Sequence, residues 1–405
     1  MVTSSGESRG CLATRPRQEA VDAQLWCGDA RPLGSDREFL LANWGQRVTA
    51  NLGSSRAGPG EEAFVWNGIR RTRSEPPGAA GSNRRLKATY GAALEQFEQL
   101  VVAASRVGPA ARPLPLFYAI EQAARAVISA LRPKQASTDS HGLEFKGAGR
   151  SDPFGAKVRV KETGVFPSLL AALNAPSWPV SVEMGALWSA LPDLVGTPAV
   201  DGPWARPLPI MPWPEPLNIH VVSDVHIDAV VVFDVDDPSD SEQVEEVLTR
   251  YPSAEGFRIL TVPTAPADPA GSRTPFWPET PRGGGVLVRW HVADLPIEPH
   301  HNVNELIEGK WSEVAWHDRY TQPAWLLPSL APGNAAHRPL FVWYALLYGL
   351  SVLARYHPSD WMAALHVDSS PIAVALEDAL DQALTAVPHL IYEALVAPVL
   401  FHRDF

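Results

Sequence analysis

Cysteine is nearly missing from this chain. Its 405 residues include two, Cys11 and Cys27, both in the N-terminal stretch. That excludes a disulfide framework and a cysteine-based zinc site, and it fits a reducing cytoplasm. Excess positive charge is missing as well: 34 Lys+Arg stand against 45 Asp+Glu, a net charge of −11. A chain of that sign is no general sink for nucleic acid, so contact with nucleic acid or a nucleotide would need a local basic face. No apolar h-region opens the N-terminal stretch, and no signal peptide is expected. The longest uncharged apolar run, Pro339 to Ala354 (PLFVWYALLYGLSVLA), is bounded by Arg338 and Arg355. It falls short of the roughly 18–20 residues of a membrane span and reads as a buried core helix, so no membrane partner is expected. GxxxxGK(S/T) and HExxH are absent, which removes two common catalytic signatures. No metal or cofactor is implied, and there is no internal repeat.

Proline and tryptophan are abundant, at 39 and 14 residues. Interior proline breaks helices, so one helical bundle running the whole length is excluded. So many tryptophans exclude a largely disordered chain. Hydrophobic residues at 45% and charged residues at 20% are ordinary globular composition. The length suits two or three domains, or one domain with a large insertion.

Periodicity gives the layout. Residues 1–35 read as a disordered arm, and 36–84 as a variable helix (Arg37 to Trp66) followed by a loop from Arg70 to Asn83. Tyr90, Leu94, Phe97, Val101 and Ala104 share one helical face, as do Leu116, Ile120, Ala123, Val127 and Leu131. Glu121 and Arg125 are one turn apart and can pair. Lys157, Arg159 and Lys161 alternate with Val158 and Val160, the period of a strand with one basic face. A short helix is expected from Val182 to Ala190, and three apolar runs between Leu217 and Val292 read as strands. Helices follow at Arg338 to His357, Pro371 to Val387 and Pro388 to Leu400. The expected fold is α+β: a mainly helical domain from 85–175 and 336–405, with a Pro/Trp-rich α+β insertion at 176–335 carrying a small antiparallel sheet. The helix at 339–357 is expected to pack on the one at 116–131.

Each motif has a functional and a structural reading. SDVHID (Ser223 to Asp228) has the Asp-x-His of calcineurin-like phosphoesterases, but no GDxxD or GNH(D/E) follows, and His300-His301-Asn302 lies outside such a context. Asp224, His226 and Asp228 alternate with Val225, Ile227 and Ala229, so a half-exposed strand is the favoured reading. Gly283-Gly284-Gly285 precedes a strand and lacks the helix N-terminus that would hold phosphate. The basic strand could track a phosphate backbone or simply be solvated. His141 reads as a functional or a satisfied buried histidine. Arg355 and His357 read as site residues or as charges favoured at a helix C-terminus.

LFYAIEQAARA (Leu116 to Ala126), HGL (His141 to Leu143), KVRVKETGVF (Lys157 to Phe166), ALWSALPDL (Ala186 to Leu194) and RPLFVWYALLYGLSVLARYHPSDW (Arg338 to Trp361) occur in this order. In this the chain resembles the YaaC-like family over about residues 85–400. The resemblance implies a soluble bacterial cytoplasmic protein and brings no established activity. Tyr118, Ala119, Ala123 to Ala126 and the later His141 are also loosely similar to HEPN-type helical domains. The RNase members of that group carry Arg-x4–6-His, and here no arginine has a histidine five to seven positions downstream.

The candidate binding residues are therefore Tyr118, Glu121, Arg125, His141, Lys157, Lys161, Arg355 and His357. Three functions compete. The first is a non-catalytic binding or regulatory protein with a polar pocket between helices. The second is a HEPN-like enzyme or binder acting on RNA or nucleotides. The third is an interaction scaffold using Trp178, Trp204 and Trp213. Homo-oligomer formation is compatible with all three.

Overall fold

A computed structural model describes residues 59–131, 137–147, 153–197, 202–212, 224–232, 241–261, 285–294, 303–316 and 324–396. The expected arm, the start of the expected first helix, Trp213 and His300 to Asn302 lie outside the described residues.

The N-terminal helices are α1 (Pro59–Ser74), α2 (Gly78–Ser82), α3 (Arg84–Ser105) and α4 (Pro113–Leu131). Helix α3 starts where the Asn83 side chain accepts from the Arg85 and Leu86 N–H groups, satisfying two donors that a helix start leaves open. It buries Tyr90, Leu94, Phe97, Val101 and Ala104 on one face. The loop expected from Arg70 to Asn83 is confined to the residues around Pro76 and Pro77. Arg70 and Arg73 pair with Glu98 and Glu95 of α3, which carries α1 through Ser74.

A three-stranded antiparallel sheet follows, from β1 (Leu143–Lys146), β2 (Lys157–Val160) and β3 (Ser181–Glu183), in that order. Helix α5 (Val165–Ala172) leaves β2, and α6 (Met184–Ser189) leaves β3 directly. The helix expected from Val182 thus begins two residues later, because Val182 is paired with Val158 in the ladder.

The second sheet contains β4 (Leu208–Pro212), β5 (Asp224–Val232), β6 (Phe257–Thr261), β7 (Gly285–Asp294) and β8 (Ala324–Leu326). Its order is β6-β7-β5-β4-β8, and every pairing is antiparallel. Helices α7 (Ser241–Leu248) and α8 (Val303–Val314) put Val244, Leu248 and Val314 into one cluster with Ile210, Ala229, Val231, Val288 and Trp290.

The chain returns to helix in α9 (Pro339–Tyr356), α10 (Pro358–Ala364) and α11 (Ala373–Val396). Helix α9 is the one described helix long and apolar enough to cross a bilayer, and 83% of it is buried inside the protein, the setting of a core helix. The break expected at Pro388 does not occur. Proline removes one backbone hydrogen bond, but Val387, Leu390, Ile391 and Leu395 are buried on both sides of it and keep α11 continuous. The larger core draws on residues 65–194 and 330–395. The fold is α+β and mainly helical.

Candidate functional site

Helices α4 and α9 meet along an aromatic seam. The Phe117 ring stands edge-on to Tyr344 at 5.9 Å and to Tyr348 at 5.4 Å. That seam brings the neighbouring face of α4 beside the last turn of α9. There the Arg355 Nη1 donates to the Tyr118 hydroxyl at 2.9 Å, joining residues 237 apart in sequence. The Arg355 guanidinium also lies 4.5 Å over the Tyr356 ring. One turn along α4, Arg125 donates to Glu121 at 2.7 Å and to the Thr138 carbonyl at 2.8 Å. Glu121 is only 7% exposed, so its charge is held by this partner.

The Thr138 contact anchors the loop that carries His141. Two glycines let that loop cross the entry to α5. Gly142 has φ +80° and Gly164 φ +132°, and a Cβ on Gly164 would lie 2.4 Å from the Gly142 Cα. The close approach lets the Ser140 and His141 carbonyls accept from the Val165 and Phe166 N–H groups at 2.8 and 3.0 Å. The Gly142 carbonyl accepts from the Lys161 N–H at 2.9 Å, which fixes Lys161 beside the same loop.

The His141 ring packs against Tyr348 with centroids 4.7 Å apart. Its Nδ1 accepts from the Leu143 N–H at 3.1 Å, so the neutral ring carries its proton on Nε2. Burial pushes the His141 pKa below its ordinary value; the Glu121 charge opposes this, and Lys161 and Arg355 reinforce it. The imidazole is therefore neutral at pH 7. On α4 and α9 three buried polar atoms have no hydrogen-bond partner: Nε of Arg125, Nε of Arg355 and the Tyr344 hydroxyl. Burial, then the Glu121 charge, raise the Tyr344 pKa well above the ordinary phenol range.

A family model for YaaC-like proteins matches residues 63–395, a span that holds the whole cluster. The chain belongs to the YaaC-like protein family. Neither a curated protein nor a solved structure matches it.

Of the eight residues singled out in this YaaC-like chain, six come together: Tyr118, Glu121, Arg125, His141, Lys161 and Arg355. Lys157 does not join them, because the β2–β3 register sets it opposite Glu183, to which it is paired at 3.3 Å. His357 ends α9; its N–H donates to the Leu353 carbonyl and its carbonyl accepts from Trp361. His357 lies one residue beyond α9 with a non-helical backbone, φ −129° and ψ 51°, and the Arg355 guanidinium turns instead to Tyr118 and Tyr356. Tyr344 and Tyr348, which wall the cluster, escape a reading that treats α9 as uniformly apolar. Their spacing of four and their hydroxyls are the signal.

The Asp-x-His motif is closed off. Asp228 accepts two hydrogen bonds from Arg289, each 2.7 Å. His226 is buried and lies 3.8 Å from the same carboxylate, so this position of β5 is less solvated than its alternation suggests. Among the described residues no group of three or more His, Cys, Asp or Glu could hold a metal ion.

Proposed function

We propose that this protein is a non-catalytic binding or regulatory protein of the bacterial cytoplasm, with its ligand seated on the His141 cluster. One observation carries the reading. Among the described residues, neither Arg355 nor Lys161 has a carboxylate within salt-bridge distance, although both act on His141. Arg355 spends one N–H on the neutral Tyr118 hydroxyl, and its remaining charge, with Lys161 and the His141 Nε2–H, calls for an anionic ligand.

The arrangement favours binding over acid–base chemistry. The free-ring nitrogen that would accept a proton, Nδ1, is already bonded to the Leu143 N–H. The one carboxylate in the cluster, Glu121, is tied to Arg125. A HEPN-like action on RNA or nucleotides is a second reading, since Arg355 acts on His141 and also holds the exposed Tyr118. The scaffold reading has less to rest on. Trp178 packs edge-on to Phe166 at 5.0 Å, and the Trp204 indole donates to Glu183 at 3.1 Å.

Thermal melts of wild type, Arg355→Ala and Lys161→Ala in a panel of small organic and inorganic anions test the proposal. The melting temperature of the wild type should rise by several degrees with at least one anion, and both variants should lose that rise. A panel without a responder, or one to which the variants respond as the wild type does, rejects it. Labelled RNA incubated with the same three proteins should stay intact; cleavage by the wild type alone would move the conclusion to the second reading.

A further inference from the structure

We propose that the group seated at this cluster is a phosphomonoester, the terminal phosphate of a nucleotide. The proposal rests on the binding reading above and names its ligand class.

Charge balance is the first argument. Glu121 is matched by Arg125, and Glu144 of β1 sits among three cations, paired with Lys146 at 2.6 Å and acted on by Arg159 and Lys161. Two cations, Arg355 and Lys161, remain next to a neutral His141. A carboxylate ligand would neutralise one of them. A phosphomonoester carries a charge of about −1.5 to −2 near pH 7 and three acceptor oxygens, which suits both cations and leaves an oxygen for the His141 Nε2–H. The second argument is the buried Nε of Arg355, an N–H without a partner. Its guanidinium is held in place by the Tyr118 hydroxyl and the Tyr356 ring, so the planar fork is oriented before any ligand arrives. Planar donor pairs of this kind match phosphate oxygens. The third argument is the wall: Tyr118, 40% exposed beside Arg355, offers a ring face on which a base can stack.

Calorimetric titration of the full chain at pH 7.5 tests this. The probes are inorganic phosphate, adenosine 5′-monophosphate, adenosine, and one RNA trinucleotide with and without a 5′-phosphate. Phosphorylated probes should bind and their unphosphorylated partners should not. Arg355→Ala and Lys161→Ala should each weaken binding at least tenfold. Arg355→Lys should recover part of the loss. Tighter binding of the mononucleotide than of the RNA assigns the phosphate to a free nucleotide, and the reverse order assigns it to an RNA end. Equal binding of probes with and without phosphate, or phosphate binding untouched by either alanine variant, overturns the proposal. If phosphate probes fail while another anion stabilises the wild type and not the variants, the ligand class falls and the site stands. If no anion responds, both fall.

Discussion

The five-stranded sheet and the helical region each place a histidine, a carboxylate and an arginine near one another, and the two arrangements behave differently. In the sheet, Asp228 and Arg289 face each other across the β5–β7 ladder and exchange two hydrogen bonds of 2.7 Å. His226 is buried beside them. Asp228 and Arg289 answer one another there, although the buried His226 Nδ1 has no partner, and such a bidentate pair is a brace between strands. In the helical region Glu121 is paired with Arg125, and Arg355 and Lys161 have no carboxylate within salt-bridge distance among the described residues. The difference shows what separates a structural polar cluster from a candidate site. What marks the site is the surplus of oriented donors, more than the residue types. By residue type alone the Asp-x-His of β5 is the better motif.

The largest expected effect comes from removing one large ring in each region. Phe117 and Trp290 are both 1% exposed. Phe117→Ala and Trp290→Ala should each cost about 3–5 kcal/mol in urea unfolding, the range for large aromatic truncations that leave a cavity. The site responses should diverge. Phe117 touches Tyr344, Tyr348 and His141, so its loss should shift the His141 NMR signals and weaken anion binding. Trp290→Ala should leave both unchanged in the folded protein. A Trp290 variant that moves His141 as far as the Phe117 variant does would mean that the two regions are not independent.

Acid should bear on the helical region through His337. It is 3% exposed and stacks on Trp178 at 4.5 Å. Burial pushes its pKa from 6.5 down to about 4, with a backbone hydrogen bond at Ser177 partly opposing. The unfolded chain therefore binds this proton more readily than the folded one. The contribution of His337 to stability is complete above pH 6.5 and is lost as the pH falls toward about 4. The slope is at most about 1.4 kcal/mol per pH unit for one proton. Urea melts at a series of pH values in that window should show the slope in the wild type and a flatter one in His337→Phe. Equal slopes would remove burial at residue 337 as a source of acid sensitivity.

Much of this architecture can be read from local patterns. The Tyr90, Leu94, Phe97 stripe and the alternation around Val158 are set by burial on one face, which periodicity records directly. The α4–α9 contact follows from two apolar helices that each need a partner. The remainder depends on which elements meet. Pro388 sits inside a helix because packing on either side outweighs one missing hydrogen bond. Lys157 is taken up by Glu183 through strand register, which no local pattern contains. His141 meets Tyr348 only because Gly142 and Gly164 let two loops cross.

The smallest expected effect decides whether the surplus donors are a site or a brace. A double-mutant cycle on Asp228 and Arg289 should give a coupling energy of about 1–2 kcal/mol, as expected for a half-buried bidentate pair. The Tyr118–Arg355 pair has the same hydrogen-bond length class, 2.9 Å, but lies at the surface and joins a phenol to a cation. Its coupling should be about 0.5 kcal/mol or less. If Tyr118→Phe with Arg355→Ala couples as strongly as the sheet pair, Arg355 is there to tie α4 to α9 and its donors need no ligand. If the coupling is small while Arg355→Ala still abolishes the anion response, stability does not account for the residue. The guanidinium is then held in place for something outside the chain, and Tyr118 serves to aim it.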